Sequence, residues 1–280
     1  MTRRLGFSFL YFTPRVLDEH LSWLGRLAHH GYDGAELPVV EATEPELTAM
    51  RRVLDAEGLA ATAVGFAVAG ANPLDPDPAG RRAAVQHLAK ITERAAVLGA
   101  DVLAGPIHSA YGQFSEAPPT GDERKWCAEV LHEAGERAAA CGVTLAVEPL
   151  NRFECYFLNT AAECAELVRA VDHPNVQGAL DTHHAHIEED DVVAAIKGMG
   201  ETLRHVQLSE NHRGTPGRGQ VNFHAVLDGL DRAGYEDWLV IEAFSRQSPA
   251  FGSALRIWRE LDGGPEEVLA AGADLVKRPR

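Results

Sequence analysis

Cysteine is scarce in this 280-residue chain, and the four present, Cys127, Cys141, Cys155 and Cys164, form no Cys-x-x-Cys pair. That usage fits reduced, buried thiols in the cytosol better than a disulfide framework. Basic residues are also few: 26 Lys and Arg stand against 41 Asp and Glu, for a formal net charge of -15. An acidic balance repels phosphate backbones and anionic membrane surfaces, so nucleic acid is not expected as a partner. No run of about 18 apolar residues occurs, so no segment is expected to span a membrane. The start, Met1-Thr2-Arg3-Arg4-Leu5, lacks the hydrophobic region and small-residue cleavage site of a signal peptide. A soluble, cytoplasmic protein is the expectation. Neither a Gly-x-Gly-x-x-Gly fingerprint nor a Walker-type loop is present, which argues against an open doubly wound nucleotide-binding sheet.

What is present is an alternation. Hydrophobic residues make up 45% of the chain, enough for a sizeable core. Short apolar runs predict strands over Leu5–Leu10, Gly34–Pro38, Ala61–Phe66, Asp101–Gly105, Thr144–Pro149, Val176–Thr182, Leu203–Glu210 and Trp238–Phe244. Between them apolar residues recur at helical spacing, as at Leu17, Leu21, Leu24 and Leu27, or Val85, Leu88, Ile91 and Ala95. Phe223, Val226, Leu227 and Leu230 repeat the pattern, with Asn222 placed to cap that helix. Gly31, Gly58, Gly99, Gly142 and Gly234 stand where helices should stop before the next strand. Eight βα units predict an α/β fold, a closed (β/α)8 TIM barrel spanning residues 1–280 as a single domain. The tail after Gly264 predicts an extra C-terminal helix, with Gly272 as its one discordant residue. Charge clusters such as Glu188-Glu189-Asp190 and Lys277-Arg278-Pro279-Arg280 read as solvated surface.

The informative polar residues fall at strand ends. Glu148 closes strand five, Asp181 strand six and Glu242 strand eight, while Gln207 lies within strand seven. In a TIM barrel the C-terminal strand ends converge on one mouth, so these four side chains should share one space. Three carboxylates held that close repel one another unless a cation intervenes. An oxygen-rich donor set suits one divalent metal ion, Mn2+ foremost, with Mg2+ or Co2+ as alternatives. The competing reading pairs each acid separately with a rim Lys or Arg.

At these residues the chain becomes recognisable. Glu148-Pro149-Leu150-Asn151-Arg152-Phe153-Glu154 with Asn159-Thr160, Asp181-Thr182-His183-His184, Ser209 through Gly219, Ile241-Glu242-Ala243-Phe244 and Gly31 through Glu36 together resemble the sugar isomerase/epimerase branch of the xylose-isomerase-like TIM barrels. Within that branch the likeness is greatest to the D-tagatose 3-epimerase and D-psicose 3-epimerase group. The resemblance implies Glu148, Asp181, Gln207 and Glu242 as metal ligands, and Glu154, His184 and Arg213 as residues that bind the C1–C3 end of a ketose. It also implies a homodimer or homotetramer. Gln207 departs from the best-known ketose 3-epimerases, which carry histidine there; glutamine is like the hydroxypyruvate-isomerase relatives, and its amide oxygen still binds a hard cation.

Other polar residues carry open expectations. His205 reads as a hydrogen-bonded core histidine deeper than Gln207. His108 after strand four touches substrate or caps its loop; Glu36 at the end of strand two orients His184 or a substrate hydroxyl. His183 and His186 read as supporting or surface residues. Phe7, Tyr11, Phe66, Phe157 and Phe244 offer an apolar wall to the mouth, with Phe7 and Phe66 read as ordinary core. The implied chemistry is carbohydrate isomerase chemistry: a ketose 3-epimerase moving a proton through an enediolate, with Glu148 and Glu242 as acid and base. Aldose–ketose isomerisation, and more distantly an inosose-type dehydration, use the same apparatus. Phosphodiester cleavage is disfavoured by the charge of -15, and a binding protein would need neither acid. The Gly214–Gly219 loop could hold a substrate phosphate, but no Lys/Arg cluster accompanies it, so a free sugar is expected.

Overall fold

Parallel strands buried on both faces need helices outside and side chains inside, and the chain meets both demands. The computed structural model describes residues 3–277; most of the C-terminal charge cluster lies outside them. Eight strands, β1 (Arg4–Ser8), β2 (Gly34–Pro38), β3 (Ala60–Val64), β4 (Val102–Gly105), β5 (Thr144–Val147), β6 (Val176–Asp181), β7 (Leu203–Ser209) and β8 (Trp238–Glu242), pair in sequence order. All ladders are parallel, and β8 pairs with β1 to close the barrel. Around it run α1 (Ser22–His30), α2 (Glu44–Glu57), α3 (Pro78–Leu98), α4 (Gly121–Cys141), α5 (Ala161–Val171), α6 (Thr182–Glu188), α7 (Val192–Met199), α8 (Phe223–Arg232), α9 (Pro249–Ala254) and α10 (Pro265–Lys277).

Local sequence explains the boundaries. Thr120 and Thr160 accept the N–H of Glu123 and Glu163, whose carboxylates reach back to the threonine N–H, forming capping boxes at α4 and α5. Asn222 caps α8 by accepting the Ala225 N–H, as its position predicts. Helices α1 to α4 each stop on a left-handed glycine. Strands β2 and β4 end where the apolar runs predict, and the other six end one or two residues sooner. Phe9–Tyr11 wind into a 3-10 turn after β1. Asp181 stops β6 by capping α6, its carboxylate accepting the His183 N–H at 2.7 Å. Pro149 has no N–H to extend β5.

Side-chain alternation builds the barrel interior in layers. At the floor lies the fully buried Trp238 indole. A Cβ on Gly34 would come within 2.6 Å of that ring and 2.5 Å of the Ala60 carbonyl oxygen, so only glycine fits. Val102, Ala104, Ala146, Ala179 and Val240 pack with it as a small apolar cluster, separate from the shell between sheet and helices. Above it the interior turns polar, at Glu36, His205 and Gln207, and then opens on the mouth.

The additional C-terminal helix is present as α10. It follows β8 and packs on α1 and β1, completing the helical ring. Gly272 is what lets it approach: a Cβ there would sit 2.6 Å from the Tyr32 hydroxyl, which bonds the Leu269 carbonyl, and 2.7 Å from Ile241. Among the described residues no helix is long and apolar enough to cross a membrane.

Candidate active site

The four consecutive strands predicted to carry the site do converge. Glu148 directly follows β5, its N–H donating to the Gly105 carbonyl at 3.0 Å. Asp181 and Gln207 are register partners on β6 and β7, and Glu242 stands opposite Ser209 on β8. All four are buried. Carboxylate oxygens of Glu148 and Asp181 and a ring nitrogen of His184 lie within 4.8 Å of one another, as do groups of Glu154, His183 and His184. Gln207 Nε2 donates to Glu242 Oε1 at 3.1 Å.

Arg213 binds this cluster together. It follows β7 in a left-handed conformation (φ 65°) that only a local constraint sustains in a residue other than glycine. Its N–H donates to the Glu210 carbonyl at 2.9 Å and its own carbonyl accepts the Phe244 N–H at 2.7 Å, which fixes it in that state. The guanidinium lies over the Phe244 ring, 4.7 Å from its centroid. Nη1 donates to Asp181 Oδ2 at 2.8 Å and to Glu242 Oε2. Nη2 stands 2.9 Å from His184 Nε2.

The tautomer of His184 follows from Asn151. The Asn151 backbone N–H (3.0 Å) and side-chain amide (2.8 Å) both point at His184 Nδ1, which accepts; the imidazole proton then sits on Nε2, facing the Arg213 guanidinium as donor to donor with no hydrogen bond between them. Nε2 faces Glu148 Oε1 at 3.5 Å and Asp181 Oδ2 at 3.7 Å. A protonated Nε2 donates and does not ligate a metal, so His184 is unsuited to be a ligand despite its closeness to Glu148 and Asp181. His184 and Arg213 thus aim two donors at one point, an arrangement that an oxygen of a bound molecule satisfies. Asn151 also donates to Glu154 Oε1 at 2.9 Å, and Tyr111 donates to Glu154 Oε2 at 3.1 Å. Sequence reasoning passed over Asn151, although its place between Glu148 and Glu154 was the available signal.

Two residues expected as substrate contacts are engaged with partners inside the protein. His108 is fully buried; its Nε2 donates to the Glu148 carbonyl at 3.0 Å, Ser109 donates to its Nδ1 at 2.9 Å, and Phe157 stacks on it. Burial pushes its pKa down to about 4, so it is a neutral support beneath Glu148. Glu36 is also fully buried, and it bonds neither His184 nor open space: its oxygens accept from His205 Nε2 at 2.8 Å and Gln207 Nε2 at 3.1 Å. His205 is accordingly the hydrogen-bonded core histidine expected. His183 donates from Nδ1 to the carbonyls of Glu210 and Asn211, and His186 is exposed. Of the aromatics, Phe7 is core, Phe157 lies under the site and Tyr11 donates to Asp262. Phe66, read as core, is 37% exposed beside Tyr111, because the chain leaves β3 before reaching it.

The donor set fits a hard divalent cation. Gln207 Oε1 is fully buried with no hydrogen-bond partner, an orphaned acceptor of the kind a cation satisfies. Burial, then repulsion from Asp181, holds the Glu148 carboxyl well above its usual range; burial does the same for Glu242 and, less strongly, for Asp181, against the pull of Arg213. Burial and Arg213 together hold His184 far below its usual value. An acid whose pKa is raised by folding stabilises the fold below its unfolded value, near 4, and loses that contribution as pH rises through the raised value. A bound metal needs the same acids ionised. The rise in Tm produced by saturating Mn2+ is therefore expected to grow from pH 5 to pH 8, read as the difference between scans with metal and with chelator. A constant or shrinking increment would count against a carboxylate-held ion.

A groove of about 860 Å³ between α4 and α5, lined by Arg124, His132, Glu166 and Asp172 among others, lies on the helical outside and gathers none of these groups.

Comparison with known proteins follows the same lines. The family model described as "Xylose isomerase-like TIM barrel" matches residues 24–277. A ketose 3-epimerase of Arthrobacter globiformis is 31% identical, over 85% of this chain and 83% of the relative. An L-ribulose 3-epimerase of Mesorhizobium japonicum is 31% identical, over 92% of this chain and 88% of the relative. The crystal structure of D-psicose 3-epimerase with D-tagatose from Clostridium cellulolyticum H10 superposes with a TM-score of 0.87, at 28% identity, covering 98% of this chain and 96% of that one.

Proposed function

We propose that this chain, which belongs to the xylose isomerase-like TIM barrel family, is a divalent-metal-dependent 3-epimerase of free ketoses, built as a single barrel domain. It is an isomerase-class enzyme, as its 3-epimerase relatives are. The observation that carries the finer reading is a row of groups. Glu148 stands on the His184 side and Glu242 on the Arg213 side of a donor pair whose nitrogens meet at 2.9 Å.

Inverting a carbon beside a carbonyl requires removing its proton from one face and returning one to the other. Between those steps negative charge spreads over an enediolate, and donors that are already in place lower its energy. Arg213 Nη2 and His184 Nε2–H are such donors, and neither needs to move far to meet a substrate oxygen. Glu148 and Glu242 flank them, so one takes the proton as the other supplies one, with roles exchanged in the reverse direction. Burial holds both carboxyls above their usual range, which makes each carboxylate a stronger base toward a carbon-bound proton than it would be in water. Glu154, fixed by Asn151 and Tyr111, faces Arg213 at 3.9 Å and is placed to accept from a sugar hydroxyl. Glu148, Asp181, Glu242 and Gln207 Oε1 would hold the metal ion, Mn2+ by donor chemistry. When bound, such an ion acts as a Lewis acid toward the substrate oxygens.

A free rather than phosphorylated sugar is supported by Glu210. Its fully buried carboxylate accepts the N–H groups of Gly217 (3.0 Å) and Asn211 (3.1 Å), and a Cβ on Gly219 would lie 2.1 Å from it. The glycine-rich loop therefore wraps an anion of its own, and those amides are not free for a phosphate. We further propose a cytoplasmic enzyme that works as a homodimer or homotetramer.

The test is incubation of Mn2+-reconstituted protein with free ketoses in D2O, followed by NMR. Deuterium at C3 accompanied by the C3-epimeric ketose is expected. Deuterium at C1 or C2 with an aldose would replace this reading by an aldose–ketose isomerase.

A further inference from the structure

An amide ligand poses a problem that a carboxylate does not. The two ends of a glutamine side chain are nearly identical in shape, but only the oxygen binds a cation; the NH2 end repels one. Something must decide which end of Gln207 faces the ion. In this chain Nε2 donates to Glu36 Oε1 at 3.1 Å and to Glu242 Oε1 at 3.1 Å, using both of its hydrogens. Turned about, the amide oxygen would face two carboxylate oxygens at that distance, in a fully buried site. Gln207 Oε1 instead has no protein partner.

Glu242 serves the site in other ways, whereas Glu36 is free of any such duty. It lies on β2, one layer beneath the mouth, with zero exposure. Its other oxygen is fixed by His205 Nε2 at 2.8 Å, so the carboxylate cannot rotate away. Its register partners Ser8 and Thr62 do not compete for it, since neither hydroxyl has a hydrogen-bond partner.

We infer that Glu36, braced by His205, is a positioning residue that holds the Gln207 amide with its oxygen toward the metal. This rests on Gln207 being a ligand, and the experiment separates the two. Hydrogen bonds behind a ligand commonly govern metal affinity by about 10- to 100-fold when removed.

Mn2+ binding is measured on the full chain by the electron paramagnetic resonance of free Mn2+, for the parent, Gln207→Ala, Glu36→Met and Glu36→Gln, with Tm scans to show folding. Met and Gln match glutamate in size and both remove its charge. Gln keeps an oxygen for the Gln207 amide, while its NH2 can donate to His205 Nε2, the histidine proton moving to the unpartnered Nδ1. Glu36→Met is expected to weaken Mn2+ binding by about 10- to 100-fold, and Glu36→Gln by no more than about 3-fold. Equal weakening in both would make the charge the cause and overturn the inference; so would parent-like affinity in Glu36→Met. Parent-like affinity in Gln207→Ala would instead remove Gln207 from the ligand set and the inference with it. Should Glu36→Met fail to fold, Glu36→Asp, whose carboxylate is withdrawn by one methylene, takes its place: weakened binding supports the inference and unchanged binding overturns it.

Discussion

Glu148→Gln and Glu242→Gln are each expected to lower kcat for ketose epimerisation by about 10²- to 10⁴-fold, the usual worth of a positioned acid or base. Gln is the sharpest replacement, since it keeps size and one ligating oxygen and removes the capacity to take a proton. Loss of turnover alone would not separate a lost base from a lost ligand, so the exchange pattern decides. A base on each face of the carbon means that each ketose epimer presents its C3 proton to a different carboxylate. With one carboxylate removed, epimerisation stops in both directions. The surviving base still exchanges the C3 proton of the one epimer whose C–H faces it. In D2O, Glu148→Gln should therefore label one epimer and Glu242→Gln the other, each without forming the opposite sugar. Substantial epimerisation in both variants, or labelling of the same epimer by both, would end the two-base reading. Mn2+ affinity measured alongside shows whether each variant still holds metal when its exchange is scored.

Much of this site was legible because a barrel converts sequence position into spatial position. Once eight βα units are seen, the last residues of the strands must share a mouth, and Glu148, Asp181 and Glu242 need no further information. The C-terminal helix and its Gly272 were legible only in part. A glycine inside a helix reads as weakness until the packing against Tyr32 and Ile241 is known. The roles of Glu36 and His108 were not legible at all. Glu36 lies within β2 and His108 in the loop after β4, positions that resemble those of the ligands in sequence, and what sets each apart is a partner far along the chain, Gln207 in one case and the Glu148 carbonyl in the other. The Glu36 contact depends on barrel register, and a shift of one residue would turn its side chain away from the interior, while the His108 contact depends on the path of the loop after β4. The glycine-rich loop was ambiguous for a similar reason. Its amides could have met a substrate anion, and only the fold shows that Glu210 has taken that place.

Arg213→Met is expected to destabilise the metal-free protein by about 3–5 kcal/mol at neutral pH, the usual cost of removing one partner from a buried ion pair. Arg213 bonds Asp181 and Glu242, stands 3.9 Å from Glu154, and is itself only 9% exposed. Met keeps an unbranched aliphatic stem and leaves the left-handed backbone strain unchanged, so the guanidinium with its charge and hydrogen bonds is what differs. The uncompensated carboxylates can then escape only by taking up protons. The deficit should accordingly be largest at pH 8 and shrink toward pH 5, since the raised pKa of Glu148 and Glu242 climbs further without the cation. Saturating Mn2+ supplies the missing positive charge and is expected to recover most of the loss, because metal at about 1,000 times its Kd adds roughly 4 kcal/mol. Turnover should not recover with it: one of the two donors facing the substrate oxygen is gone, a defect of about 10²- to 10³-fold. Urea unfolding with and without Mn2+ at several pH values, together with kcat of the metal-loaded variant, measures both effects. A metal-free variant as stable as the parent would mean the three acids are already protonated without Arg213, and restored turnover with restored stability would reduce Arg213 to a counter-ion with no part in holding the substrate.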